Sequence, residues 1–264
     1  MGVPRPAPVP ENTGPPSVPV VSVWRPSFPA TPSRYRVRVE TRLARDSAGR
    51  KEEAPLTTSG LVEMTWPGGR GGRVEGRVSA FLLSGSERVL DPAVRPAART
   101  VAFEGTVDSL TLRLSVVPAL SNECDAPETA ALAMARELFV RWPASLSVGT
   151  AWRDSSATFS CRGGLPIVTR VRARFVVREG SDPDQLDVVR SSEVELSGEL
   201  KQAFRAVRLR GRGTGESRFL VSRRTGMVAT LDGTTTVELV VTDASRGGEQ
   251  RVMQTTVVRA EREP

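Results

Sequence analysis

From residue 33 onward, apolar and polar residues alternate over most of the chain, and this alternation constrains the fold more than any other feature. In the stretch RYRVRVETRL, residues 34–43, one set of alternate positions is mainly apolar and the other carries arginine and glutamate. Successive side chains of a β-strand point to opposite faces, so a period of two predicts strands that each bury one face. Similar segments recur up to residue 262, separated by turn sequences such as PGGRGG, EGSDPDQ and DASRGG.

The pattern predicts a mostly β fold, with a single antiparallel sheet curved into an open or incompletely closed barrel. One segment, at about 126–140, has a helical period instead, with an apolar stripe formed by Ala131, Met134, Ala135, Leu138 and Phe139. We expect this helix to pack on the concave side of a sheet of about ten strands. Residues 34–262 show no break in composition and are interpreted as a single β-rich domain.

Residues 1–33 are dense in proline and are predicted to form an extended, disordered tether. They lack the charged start, apolar core and cleavage site of a signal peptide. A proline-rich leader before a β domain is typical of the region that follows the lipidated cysteine of envelope lipoproteins. We therefore expect a signal peptide and a lipid anchor upstream of Met1; a cytosolic protein with a flexible tail is the alternative.

Cysteine usage also favours an exported protein. Cys124 and Cys161 are the only cysteines, and their spacing is not the CxxC of a metal or redox site. Such a pair indicates one disulfide in an exported protein, and two unrelated buried thiols are the alternative. No apolar run approaches the roughly 18 residues that a transmembrane helix needs. The sequence thus predicts a periplasmic or cell-surface protein that is tethered to a membrane.

The chain offers little for catalysis. Histidine is absent, which removes Ser-His-Asp and Cys-His mechanisms and histidine-containing metal sites. The acidic residues of segment 179–187 do not have the spacing of an EF-hand calcium site, and Asp-Pro-Asp is a common turn sequence. The glycines of 211–215 lack the following helix of a dinucleotide loop and are interpreted as a kink or corner between strands at 203–212 and 215–222. We therefore expect no enzyme activity, no catalytic residue, no metal site and no cofactor.

The net charge of +7 comes mainly from arginine, which is spread along the strands among 30 acidic residues. Nucleic-acid binding usually needs a clustered basic patch, so no nucleic-acid partner is expected. If the turn EGSDPDQ centres on residues 181–184, Arg170 faces Glu195 and Arg172 faces Glu193 in the flanking strands. Such opposed charges each contribute about 0.2–1 kcal/mol and predict a solvated, ion-paired outer face.

Rare residues cluster in RWPASLSVGTAWRDSS, residues 141–156. Pro143 cannot continue a helix, Gly149 permits a turn, and Asp154 is placed to hydrogen-bond the backbone or an indole N–H. This stretch is therefore interpreted as the corner between the helix and the sheet. If a cleft lies there, the residues expected to line it are Met134, Leu138, Phe139, Trp142 and Trp152.

The same stretch carries a resemblance. Phe139, Trp142-Pro143, Val148-Gly149, Trp152 and Asp154 resemble the P-x-x-x-x-V-G-x-x-W element of poorly characterised bacterial exported proteins and lipoproteins, although Thr150 and Ala151 stand where that family has Asp-Ser. The segment from Gly213 to Val241 is also similar to the closing hairpins of that family. The resemblance implies an exported, often lipid-anchored protein with a sheet like the half-barrels of lipoprotein carriers. It implies no known activity.

Two functions remain open from the sequence. The first is a non-catalytic envelope protein that binds an apolar ligand or a lipid between helix and sheet. The second is a structural or protein-interaction module that docks a partner through a sheet edge or its arginine-rich face. A cavity of several hundred Å3 between helix and sheet favours the first, and a filled interface favours the second.

Overall fold

The computed structural model describes residues 23–25, 28–47, 50–67, 73–85, 99–106, 111–114, 126–162, 165–202, 205–243 and 248–264. The first five strands are β1 (Ser33–Ser47), β2 (Arg50–Thr65), β3 (Arg73–Gly85), β4 (Arg99–Thr106) and β5 (Thr111–Leu114). The helix α1 (Ala126–Glu137) follows. The remaining strands are β6 (Ala151–Arg162), β7 (Leu165–Glu179), β8 (Gln185–Gln202), β9 (Arg205–Ser222), β10 (Val228–Asp243) and β11 (Gly248–Arg262).

All eleven strands belong to one antiparallel sheet with the order β5-β4-β3-β2-β1-β11-β10-β9-β8-β7-β6. The first and last strands pair in its middle, where Val37 lies opposite Ala260. Strands β1 to β5 run as consecutive hairpins toward one edge, and β6 to β11 run back from the other edge. In the described part of the chain β5 and β6 each pair with one strand, so the sheet is open, as predicted.

The sheet curves around α1. The helix contacts β6 at one edge and also β1 to β5 in the other half of the sheet. One short helix reaches both regions only if the sheet bends around it, so α1 lies on the concave face. Its stripe residues Ala131, Met134 and Ala135 are at most 1% exposed. The prediction of a mostly β, incompletely closed barrel with one packed helix is confirmed.

Two apolar clusters cover the concave face. The first surrounds α1 and includes Val37, Val62, Phe103, Phe175, Val188, Phe219, Leu231 and Val258, which come from eight different strands. The second, which we call the distal cluster, consists of Leu165, Ile167, Val194, Val207, Leu209, Val237 and Leu239. Between them the pairing aligns a row of small and polar residues, namely Ser192, Gly215, Thr235, Thr256 and Thr41.

The predicted break at residues 211–215 is wrong, because strand β9 runs through these residues without interruption. Gly211, Gly213 and Gly215 occupy successive concave-face positions. An added Cβ on Gly211 would lie 2.6 Å from Leu239 Cδ2, and one on Gly215 would lie 2.6 Å from Thr235 Oγ1. The glycines therefore let neighbouring side chains lean over the strand where the sheet is curved.

The hairpin of β7 and β8 has the predicted register, with Arg170 opposite Glu195 and Arg172 opposite Glu193. Its turn also has the expected chemistry, since Asp182 Oδ1 accepts from the Asp184 N–H at 2.9 Å. The ion pairs of the outer face, however, join other residues. Examples among the described residues are Arg34 with Glu63 at 2.8 Å, Arg218 with Asp187 at 2.9 Å, and Arg208 with Glu199 at 3.3 Å.

Ordered packing extends into the proline-rich segment. Trp24 is 8% exposed and forms a two-way backbone bridge with Leu146, at 2.7 and 2.8 Å. Phe28 packs edge-on against Trp66, with ring centroids 6.0 Å apart. Residues 1–22 lie outside the described residues. So does Cys124, and only the backbone of Cys161 is described, so the expected disulfide stays a prediction.

Candidate functional site

The corner between α1 and β6 is built on a bulged turn. Gly149 has a φ of +86°, a conformation that glycine adopts without strain. Its N–H donates to Val177 O at 2.9 Å, while the Val177 N–H donates to Thr150 O, also at 2.9 Å. Two residues of one strand thus oppose one residue of β7, with a left-handed glycine first, which is a β-bulge of the G1 type. The predicted turn at Gly149 starts β6.

Aromatic rings fill the space next to this turn. Trp152 stacks on Phe175 at 4.7 Å between centroids with a 4° interplanar angle. Trp142 contacts Trp152 at 5.9 Å and Phe219 at 6.1 Å. Both tryptophans are partly buried and pack against the core around α1. This geometry places both tryptophans at the corner between α1 and the sheet.

The other residues expected to line a cleft lie in that core. Met134 is 1% exposed, Leu138 6% and Phe139 9%. All three contribute to the apolar cluster around α1. The structure thus brings the five expected cleft residues into one region, as core side chains with two tryptophans at the rim.

Charged groups surround the rim of this region. Asp154 pairs with Arg141 at 3.3 Å, and its Oδ1 also accepts from the backbone N–H of Ser155 at 2.8 Å. The sequence did not indicate Arg141 as the partner of Asp154, because only the folded corner brings Arg141 back toward β6. Burial lowers the pKa of the Arg136 guanidinium, and the carboxylates of Glu137 and Asp154 oppose that effect. The two carboxylates themselves pair with other arginines, Asp154 with Arg141 and Glu137 with Arg190.

A second ion pair links α1 to the concave face. Arg190 Nη2 donates to Glu137 Oε2 at 2.9 Å and to Ser217 Oγ at 2.8 Å. The same guanidinium lies 5.5 Å from the centroid of the Phe219 ring. This arrangement fixes the end of the helix against β8 and β9.

The outer edge of β6 is a different kind of feature. The hydrogen bond between Val177 and Thr150 makes them a bonded pair, and such pairs alternate along an antiparallel ladder. Even-numbered residues of β6 therefore bond to β7, while odd-numbered residues direct N–H and C=O away from the sheet. The Ser155 N–H agrees with this assignment, since it is bonded to a side chain, Asp154. In the described part of the chain β6 pairs only with β7, so its outer edge is free of strand partners.

A groove of about 270 Å³ lies on the outer face beside this edge. Cross-strand pairing places its walls on three adjacent strands, β6, β7 and β8. It is lined by Ser155, Ser156, Ala157, Arg170, Val171, Arg172, Glu193 and Glu195. Four of these side chains are the charges that were expected to pair with one another. They instead give the groove both signs of charge.

Phe159 adds an exposed aromatic side chain to this edge of the sheet. It is 53% exposed and lies on the outer face two positions beyond Ala157. Residues 155–160 carry no charge and no proline. We call residues 155–161 of β6, with the adjacent groove, the β6 edge site. Local sequence patterns predict docking through a sheet edge but cannot locate that edge, because the strand order depends on the pairing of β1 with β11.

Among the described residues, no group of three or more carboxylate, cysteine or histidine side chains is placed to hold a metal ion. No helix within the same residues has the length and apolarity required to cross a bilayer. Comparisons with protein-family models, with curated proteins and with solved structures found no match.

Proposed function

We propose that this protein is a non-catalytic interaction module that binds an extended polypeptide strand at the β6 edge site. The observation that carries the proposal is the free outer edge of β6, a strand of 12 residues, beside a groove on the outer face. An exposed edge offers a row of backbone donors and acceptors to an incoming strand. This is the geometry of β-augmentation, in which backbone bonds supply affinity and side-chain pockets supply specificity.

The side chains of the β6 edge site indicate what such a strand would carry. Phe159 offers an apolar surface of high exposure, and Arg170 and Glu195 line the groove with opposite charges. Alternate residues of a bound strand would face the outer surface. A suitable strand therefore has an apolar side chain that contacts Phe159. Its side chains that enter the groove are either neutral or complementary in charge to the arginines and glutamates of the lining.

Photo-cross-linking tests this proposal. A photoreactive phenylalanine analogue at Phe159 is expected to give a discrete adduct with a polypeptide in the native host, and Ala157→Pro is expected to abolish it. Ala157 directs its N–H outward, so proline there removes an edge donor and spares the β7 ladder. Met253, 44% exposed on the outer face of β11, is the control position and should give no adduct. Absence of any adduct from Phe159 would refute the proposal.

A second candidate function is binding of an apolar ligand, and the distal cluster favours it. Leu43, Leu196, Leu200, Val241 and Val252 are only partly buried against that cluster on the concave face. The side chains around Met134 are by contrast buried. A dansyl-labelled fatty acid is the direct probe. Saturable fluorescence that Leu196→Glu removes, without loss of the folded spectrum, would support this function.

We also propose that the protein is exported and tethered to a membrane, as the lipoprotein resemblance implies. The proposal is supported by the proline-rich segment before β1 and by the cysteine pair. Two measurements test it, namely fractionation of the native host and mass analysis of Cys124 and Cys161 under non-reducing conditions. Recovery in the cytosol with both thiols free would contradict it.

A further inference from the structure

We infer that the strand bound at the β6 edge site is β6 of a second copy of this chain. The two copies would be related by a two-fold axis and would pair antiparallel, with Thr158 opposite Thr158 of the other copy. This inference rests on the proposed function, because it names the partner of the same edge. It makes the sheets of both copies continuous across the axis.

The backbone of β6 is suited to this register. Ala157 and Phe159 are odd-numbered residues whose N–H and C=O point outward. Centring on Thr158 sets Ala157 of each copy opposite Phe159 of the other, so that both residues form bonded pairs. About four backbone hydrogen bonds result. The ladder ends at Ser155, whose N–H is already held by Asp154.

The outer-face side chains are self-complementary in the same register. Phe159, 53% exposed in one copy, comes to lie beside Ala157 of the other, at the rim of the groove. The groove wall next to Ala157 includes Ser155 and Arg170, and the stem of an arginine packs well on an aromatic ring. One pair of contacts, repeated by the two-fold axis, thus covers both exposed phenylalanines.

Charge disfavours registers that are centred nearer the start of β6. A two-fold axis at Arg153 would oppose two guanidinium groups, and one at Asp154 would oppose two carboxylates. Like charges directly opposite each other destabilise a strand pair. An axis at Thr158 brings only uncharged residues of 155–161 into contact. The chain itself supplies the exposed Phe159 that comes to lie beside Ala157 in this register, which is why a second copy is favoured.

The interface is small, so the dimer should be weak and concentration-dependent. Light scattering during gel filtration is expected to show the mass rising from one chain to two as the protein is concentrated. Phe159→Lys should weaken association at least about tenfold, because it places two like charges beside the axis. Met253→Lys, a matched change on an exposed residue of β11, should leave the dimer unchanged.

Ala157→Pro is the second variant, and circular dichroism checks that both edge variants keep the strand content of the wild type. Cross-linking from position 159 separates this inference from the proposed function. An adduct of two chains supports both, and an adduct with another polypeptide overturns the inference while keeping the function. No adduct overturns both. A chain that stays monomeric at every concentration, or that forms open-ended polymers, also overturns the inference.

Discussion

Tyr35 gives a quantitative test of how the sheet packs. It is the only tyrosine of the chain, lies on the concave face of β1 and is 3% exposed. Burial raises the pKa of Tyr35 to about 12 from its ordinary value of 10.0, and the positive charge of Arg262 opposes part of that rise. Because burial disfavours the phenolate, the folded protein should hold this proton at pH values where the unfolded chain has lost it.

The sign of the effect follows from proton linkage. Below about pH 10 both states carry the proton, and the contribution of Tyr35 to stability is fully present. As the pH rises from about 10 to about 12, the unfolded chain binds fewer protons than the folded protein, so the free energy of unfolding falls. A pKa difference of about two corresponds to about 3 kcal/mol. That loss is a large share of the roughly 5–15 kcal/mol by which domains are stable.

Urea unfolding, followed by tryptophan fluorescence across this pH range, measures the loss. Tyr35→Phe is the control, since it keeps the buried ring and removes the titrating hydroxyl. The difference in unfolding free energy between the two proteins should shift by about 3 kcal/mol between pH 10 and pH 12. Because Tyr35 is the only tyrosine, the near-ultraviolet absorbance of tyrosinate reports its ionisation directly. The reasoning would be refuted if phenolate appeared near pH 10 in the folded protein. It would also be refuted if the difference in unfolding free energy between the two proteins did not change between pH 10 and pH 12.

Three further predictions concern stability and are checked by urea or thermal unfolding. Gly213→Ala should cost about 3 kcal/mol because its Cβ would overlap the backbone of β10, whereas Gly248→Ala, with nothing within 4 Å, should change stability by less than about 0.5 kcal/mol. Met134→Ala should cost about 2–5 kcal/mol, and Met253→Ala, at an exposed position, should cost little. Ser156→Pro removes an N–H that donates to β7 and should lower the free energy of unfolding by about 3 kcal/mol. Ala157→Pro removes only an outward N–H and should lower it much less.

Local patterns predicted the strands because the burial of one face acts on every second residue. The register of β7 and β8 was also predictable, since a short turn fixes which residues face each other. Glycine in β9 was misleading for a physical reason. Its low strand propensity indicated a break, yet alternation continues through it, from Leu209 to Phe219. That continuing alternation is the sequence signal that predicts an unbroken strand here.

The site was less predictable because it depends on contacts between distant parts of the chain. The pairing of β1 with β11 joins segments more than 200 residues apart, and it alone decides which strands become edges. Likewise Arg141 meets Asp154 only because the bulge at Gly149 turns the chain back. The corner sequence showed which residues cluster, but not that Met134 and Phe139 would be core residues.

The two edges of the sheet differ in a way that bears on function. An open sheet must leave two edges, and proteins protect them by shortness, proline, bulges or charge. Within the described residues strand β5 spans four positions, a short edge of the kind that limits pairing. Strand β6 has 12 residues and, among the described residues of its outer edge, only the Ser155 N–H is covered by a side chain. The neutral stretch 155–161 of β6, with an exposed phenylalanine, would promote aggregation if it stayed unpaired. Pairing it with one specific strand removes that hazard, and this supports the proposal that the β6 edge, rather than the helix corner, is the binding site.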